Sequence, residues 1–184
     1  MRTKLRVWCL ASLLLVTLTA CQSQQLHDSL PQSAETVMTD LLAAADTELP
    51  SADWPNWPLQ PVTSVEAPLV TGLTVEEFET WVAEGWVVRA PPDQPAYQVL
   101  LLRLSDITAA AMVKDKLAAQ FNAWQWGENN LPGRGSVINS GSYVLMTITS
   151  FEAGDALMDS FIRLAENNAG QMNDFFPPNV IPKD

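Results

Sequence analysis

The chain has 184 residues and is acidic, with 10 Lys and Arg against 21 Asp and Glu and a formal net charge of −11. This balance disfavours nucleic-acid binding, which needs a basic face toward phosphates, and electrostatic docking onto anionic lipid headgroups. The length suits one globular domain. The chain has two cysteines, Cys9 and Cys21.

The first 21 residues have the plan of a secretory signal that ends in a cysteine. Residues 1–6 carry three basic side chains, and Val7–Leu18 is apolar. The apolar run is shorter than the roughly 20 residues needed to span a bilayer. Leu18-Thr19-Ala20-Cys21 follows, and it resembles the lipobox of bacterial lipoproteins, in which a small residue precedes the modified cysteine.

This resemblance implies cleavage between Ala20 and Cys21 and attachment of acyl chains, such as palmitate, to Cys21. Gln22 stands where an Asp signals retention in the inner membrane, so the pattern favours the outer membrane; the inner membrane and the cell surface stay open. The alternative is an ordinary secretory signal with an incidental cysteine. With Cys9 removed and Cys21 lipidated, the mature chain has no disulfide and depends on its core.

A polar tether (residues 21–33) and a helix come next. Ser33 is a candidate N-cap for a helix to about Thr47, since apolar residues recur on one side at helical spacing. Residues 49–68 contain five prolines and the two tryptophans Trp54 and Trp57, which predicts an extended strap. Either the two indoles form an exposed strip that contacts an envelope protein or glycan, or they pack back onto the domain. Burial of large rings favours packing.

The strongest local signal in the mature chain is at Thr74. Thr74 and Glu77 have the spacing of a capping box, and Leu73 and Phe78 that of a hydrophobic staple. The pattern predicts a helix to about Glu84, ended by Gly85.

The rest of the chain alternates between strand and helix patterns. Strands are predicted at 86–89, 97–104, 136–138 and 142–149, with helices at about 106–126 and 152–168 and a polar loop at 128–135. The expected fold is α+β, a two-layer sandwich in which a four-stranded, mainly antiparallel sheet has helices on one face. The predicted divisions are a signal (1–20), a tether (21–33), a helix and strap (34–72), an α+β domain (73–170) and a tail (171–184).

Residue sets for catalysis are missing from the sequence. His27 is the one histidine and lies in the tether, so neither a Ser-His-Asp triad nor a His-rich metal site is predicted. The densest acids, Glu76, Glu77, Glu79 and Glu84, are predicted to lie on a helix, where Glu77 belongs to the capping box and the others fit a solvated face. A hydrolase needs two carboxylates facing one cleft, which leaves a carboxylate-based hydrolase of cell-wall polymer as the alternative function. No cofactor or metal is predicted.

The layout from Thr74 to Leu164 resembles a family of uncharacterised bacterial lipoproteins with a domain of unknown function. The resemblance rests on the strand at 97–104, the helix with Lys114-Asp115-Lys116-Leu117, the segment 141–145 and the last helix. The Pro/Trp strap and the loop at 133–135 are not features of that family, which implies no activity. The leading hypothesis is a non-catalytic binding or accessory module that faces the periplasm. Acylated Cys21 would hold it on the lipid bilayer, with Trp54 and Trp57 as partner contacts and an envelope protein or glycan as partner.

Overall fold

One antiparallel sheet organises the residues that the structure describes. The computed structural model describes residues 30, 33–50, 57–91, 97–124 and 133–175, and at 120–124 it describes the backbone alone. In these residues the sheet has six strands in the order β1-β2-β3-β5-β4-β6. Their bounds are β1 Leu59–Pro61, β2 Val82–Arg89, β3 Gln98–Leu104, β4 Arg134–Ser140, β5 Tyr143–Thr149 and β6 Asn173–Phe175.

Helices cover both faces of this sheet. Their bounds are α1 Ala34–Glu48, α2 Ala67–Val70, α3 Val75–Trp81, α4 Ala110–Trp124 and α5 Phe151–Leu164. Side chains of α1 and α5 pack with one set of strand residues, and side chains of α2, α3 and α4 pack with the other set. The molecule therefore has two hydrophobic cores, one on each side of the sheet.

The α+β class and the antiparallel sheet are confirmed, but the expected two layers and four strands were wrong. Strand β3 shows the reason for the extra layer: Leu100 and Leu102 enter one core, and Val99 and Leu101 enter the other. A strand that is apolar on both faces requires cover on both. The two added strands are edge strands of three residues each, too short to show an alternating pattern.

The capping box predicted at α3 is present. The Glu77 amide donates to Thr74 Oγ1 at 3.2 Å, and the Thr74 amide donates to Glu77 Oε2 at 3.0 Å. The helix nevertheless ends at Trp81, and Gly85 lies inside β2 rather than at a helix C-terminus. A Cβ at Gly85 would come within 3.0 Å of Leu102 Cδ2. Gly85 is needed for close packing between β2 and the core, a demand that the local sequence does not show.

The other helix starts use different devices. Ser33 makes no side-chain cap; instead, the Ala34 amide donates to Glu84 Oε2 on β2 at 2.8 Å. Asp106 accepts from the Thr108 amide at 2.8 Å and begins a 3-10 turn that leads into α4. Sequence spacing reveals only caps formed by neighbouring residues. The bond from the Ala34 amide to Glu84, which is 50 residues further along the chain, was therefore not predictable.

The sheet and its cores extend beyond residues 73–170. Helix α1 fills one core with five residues that are at most 1% exposed, and β1 and β6 form the two edges of the sheet. Within the described residues, no helix is both long and apolar enough to cross a bilayer.

Candidate binding surface around Trp57

The structure describes one of the three residues predicted to form sites. Cys21 and Trp54 lie outside the described residues, whereas Trp57 lies within them, just before β1. Trp57 is partly buried and packs against the core under α1 and α5. For Trp57, the structure therefore shows the second of the two alternatives, in which the indole packs back onto the domain.

Trp57 has a second aromatic ring beside it. The centroids of the Trp57 and Tyr97 rings are 6.3 Å apart, with their planes tilted by 52°. Trp57 reaches this position from the start of β1, and Tyr97 from the residue before β3. Trp86 on β2 is also partly buried against the same core. Trp57 and Tyr97, here called the aromatic surface, are half-buried, as is Trp86.

The aromatic surface offers ordered rings for contact with a ligand. A tilted pair at this separation is a favourable aromatic arrangement that orders both rings. Because ordered rings lose little conformational entropy when a ligand binds, they offer it a flat, apolar contact area at low entropic cost. The indole N–H of Trp and the hydroxyl of Tyr can also form hydrogen bonds that orient the ligand. Tyr97 was not predicted as a contact, because it lies 40 positions from Trp57 and only strand pairing brings the two together.

Two of the four acids considered for hydrolysis, Glu77 and Glu84, are engaged in ion pairs. Lys116 pairs with Glu77 and lowers its pKa, together with the Thr74 amide. Arg103 pairs with Glu84 and lowers its pKa, together with the Ala34 amide. A glycosidase general acid needs a raised pKa. The direction of both shifts is therefore opposite to that role.

A charged cluster on β4 was not predicted. The segment Gly133-Arg134-Gly135 was expected to be loop, yet β4 begins at Arg134. The Arg134 guanidinium pairs with Asp155 on α5, and its Nε lies 3.8 Å from Asp174 Oδ1 on β6. Ser136 Oγ donates to the same Asp174 oxygen at 2.5 Å. Three elements thus meet at one guanidinium.

Packing around Arg134 explains a glycine in α5. A Cβ at Gly154 would lie 3.1 Å from Arg134 Nη2 and 3.0 Å from Thr149 Oγ1. The guanidinium also stands 5.9 Å from the centroid of the Phe151 ring. An arginine beside two glycines was the only local signal for this cluster, and its acidic partners come from distant parts of the chain.

Among the described residues, no three His, Cys, Asp or Glu side chains are grouped so that they could hold a metal ion. Comparison of the chain with models of protein families, with curated proteins and with solved structures finds no match.

Proposed function

We propose that this protein is a membrane-anchored envelope lipoprotein whose α+β domain is a non-catalytic binding module. The observation that carries the binding role is the aromatic surface, where the Trp57 and Tyr97 rings are ordered against each other and remain partly exposed. Such a surface suits an envelope protein or a glycan, because both present apolar faces beside polar groups.

The anchor is supported by sequence alone. Basic residues, an apolar stretch and Leu18-Thr19-Ala20-Cys21 match the lipoprotein signal in order and length. Two or three acyl chains on Cys21 would hold the domain firmly on a bilayer. Gln22 favours the outer membrane, with the domain facing the periplasm. The ion pairs of Glu77 and Glu84 lower the pKa of both carboxyls, which disfavours these two residues as the general acid of a hydrolase.

Photo-crosslinking in the native envelope tests this function. A photo-reactive phenylalanine replaces Tyr97 in the full chain, and a matched control carries it at Val65, which is 80% exposed and outside the aromatic surface. We expect an adduct of defined mass from position 97 and not from position 65. Trp57→Phe, which retains an aromatic ring, should preserve this adduct, and Trp57→Ala should remove it while the circular dichroism spectrum is unchanged.

The variant Cys21→Ala, examined by membrane sedimentation, tests the anchor. The variant should leave the membrane pellet, and the mass of the unaltered protein should equal residues 21–184 plus acyl chains. Equal adducts from positions 65 and 97, or an adduct unaffected by Trp57→Ala, would contradict the binding surface. Membrane association that persists in Cys21→Ala would contradict the lipid anchor.

A further inference from the structure

Exposed apolar side chains cluster at one end of the sheet, where α3 ends and α4 begins. Ile107 is 42% exposed in the 3-10 turn that leads into α4, and Met112 is 39% exposed in the first turn of α4. Trp81, the last residue of α3, is only partly buried. These three side chains are here called the end patch. Single exposed apolar residues are ordinary on a protein surface, whereas neighbouring ones mark a contact surface.

The residues of the end patch are neighbours in space. The Ser105 amide donates to the Trp81 carbonyl at 2.8 Å, and Ile107 follows Ser105 by two residues. Lys116 Nζ lies 5.7 Å from the centroid of the Trp81 ring. Met112 lies one helical turn before Lys116, on the same side of α4. Helices α3 and α4 therefore present these apolar side chains together.

Helix α1 begins at this same end of the sheet. The Ala34 amide donates to Glu84 Oε2, and Glu84 lies opposite Arg103 near the start of β2. Val82, the first residue of β2, directly follows Trp81. The start of α1 and the end patch thus lie at one end of the molecule, on opposite faces of the sheet.

Covalent geometry limits how far this end can lie from a lipid anchor at Cys21. Leu30 follows Cys21 by nine residues and packs in the core with α1. A fully extended chain of that length reaches at most roughly 32 Å. Acyl chains on Cys21 would therefore keep a bilayer close to the end patch. Attachment raises the effective concentration of the bilayer, so weak contacts suffice to orient the domain.

From these observations we infer that the end patch contacts the bilayer that holds the acyl chains, and that this contact fixes the orientation of the domain. Ile107 and Met112 would enter the boundary between headgroups and acyl chains, where an interfacial helix buries its apolar side by about 5–10 Å. Tryptophan, as at Trp81, is enriched at this boundary. The inference rests on the lipid anchor of the proposed function.

The charge of the chain determines which lipid suits this contact. The formal net charge is −11, and the exposed acids Glu79 and Asp106 lie within two residues of Trp81 and Ile107. Anionic headgroups would be repelled. The occupant is therefore a surface of zwitterionic lipid, which apolar side chains can bind without a basic face. A second copy of the chain is disfavoured, because it would bring the same acids together.

This orientation places the aromatic surface on the side away from the bilayer. Tyr97 precedes Gln98, which pairs with Arg89 at the far end of β2. Trp57 lies just before β1, whose first residue pairs with Val88. Strand β2 has eight residues, so its two ends are about 23 Å apart. A partner would then reach the aromatic surface from the periplasm, without competition from the membrane.

Fluorescence quenching in vesicles tests this contact. The full lipidated chain carries Ile107→Cys or Met112→Cys, labelled with an environment-sensitive dye, in phosphatidylcholine vesicles that contain nitroxide-labelled lipid. Leu69→Cys is the matched control: Leu69 is 57% exposed on the same face of the sheet, and the carbonyl of the next residue accepts from Gln98 at the far end. We expect the dye at 107 and 112 to shift its emission to shorter wavelength and to lose most of its intensity. The dye at 69 should do neither.

A further variant separates apolar contact from proximity alone. Ile107→Ser in the chain labelled at 112 should restore most of the intensity, because it removes part of the apolar area. Leu69→Ser is the same kind of change at the far end and should leave the quenching unaltered. Both residues are exposed, so both variants should keep the circular dichroism spectrum of the unaltered protein.

Flotation of the vesicles distinguishes failure of this inference from failure of the anchor. Protein that floats with the vesicles but is quenched equally at 69 and 112, or at neither, would show that the domain is anchored without a preferred contact. Protein that does not float would contradict the anchor and this contact together. A dye at 112 that is shielded in the native envelope yet unquenched in the vesicles would make the occupant a protein and overturn the inference.

Discussion

At the scale of single residues, the least expected feature is the burial of Lys114. It is 7% exposed on α4, and its Nζ donates to Asn139 Oδ1 at 3.3 Å and to the Gln171 carbonyl. Burial lowers the pKa of Lys114 below its usual value of 10.5, and the carboxylate of Asp115 opposes this change. A buried ammonium with neutral acceptors destabilises the folded state relative to a neutral amine.

Lys114 should therefore make stability depend on pH at the alkaline end. Between the lowered pKa in the folded state and 10.5 in the unfolded state, the unfolded chain binds more protons, so the free energy of unfolding rises with pH. We expect the stability of the unaltered protein relative to Lys114→Met to increase as pH approaches 10.5, in urea titrations at several pH values. Asp115→Asn should enlarge this increase, whereas a relative stability that falls with pH would contradict the assignment.

At the scale of elements, α3 shows how a short helix is specified. Its seven residues are too few for a stable isolated helix. The capping box satisfies its first amides, and Glu77 then pairs with Lys116 of α4, which also lies 5.7 Å from the centroid of the Trp81 ring. One side chain both closes the cap and joins two helices. The helix ends where β2 pairs with β3, since Val82 already lies opposite Leu104.

Loss of this cap should have a measurable cost. Thr74→Ala removes the oxygen that accepts from the Glu77 amide, and we expect destabilisation by about 1 kcal/mol in chemical denaturation. Thr80→Ala in the same helix is the matched control, because the Thr80 hydroxyl donates to the Glu76 carbonyl on an exposed face. It should change stability by less than about 0.5 kcal/mol. Equal effects of the two variants would show that the capping box does not stabilise α3.

At the scale of the whole molecule, the sheet is buried on both faces and blunted at both edges. Alternate residues of β3 and β5 supply the two cores, so neither core forms without the sheet between them. The outermost strands β1 and β6 have three residues each, and β1 ends in Pro61. Short edges and proline limit unwanted strand addition.

The two-core architecture makes α1 part of the folded unit. Leu41 on α1 is fully buried, so Leu41→Ala should lower the free energy of unfolding by about 2–5 kcal/mol. Leu69→Ala makes the same chemical change at a residue that is 57% exposed and should cost less than about 0.5 kcal/mol. Denaturant titration of both variants is the measurement. Similar values for the two would mean that α1 does not stabilise the domain.

Local signals predicted the local features of the fold. The Thr74 cap, the strand that includes residues 98–104 and the two strands β4 and β5 depend on neighbouring residues, whose propensities and turn preferences the sequence shows directly. The prediction that α3 ends at Gly85 was wrong. Gly85 is a glycine because a larger residue would collide with the Leu102 side chain, which is 17 residues away in the sequence. In the candidate site, Trp57 was predicted as a contact residue because of its large aromatic ring, whereas Tyr97 was not predicted.

The sequence by itself determined the acidity of the chain, its α+β class, its lipoprotein-like start and the absence of a histidine-based catalytic set. Only the tertiary structure decided the number of layers, the pairing of Trp57 with Tyr97, the burial of Lys114 and the meeting of Arg134 with Asp155 and Asp174. The physical reason is the range of the forces involved. Caps, turns and periodicity act within a few residues, whereas burial and ion pairing join residues that strand pairing brings together from distant parts of the chain.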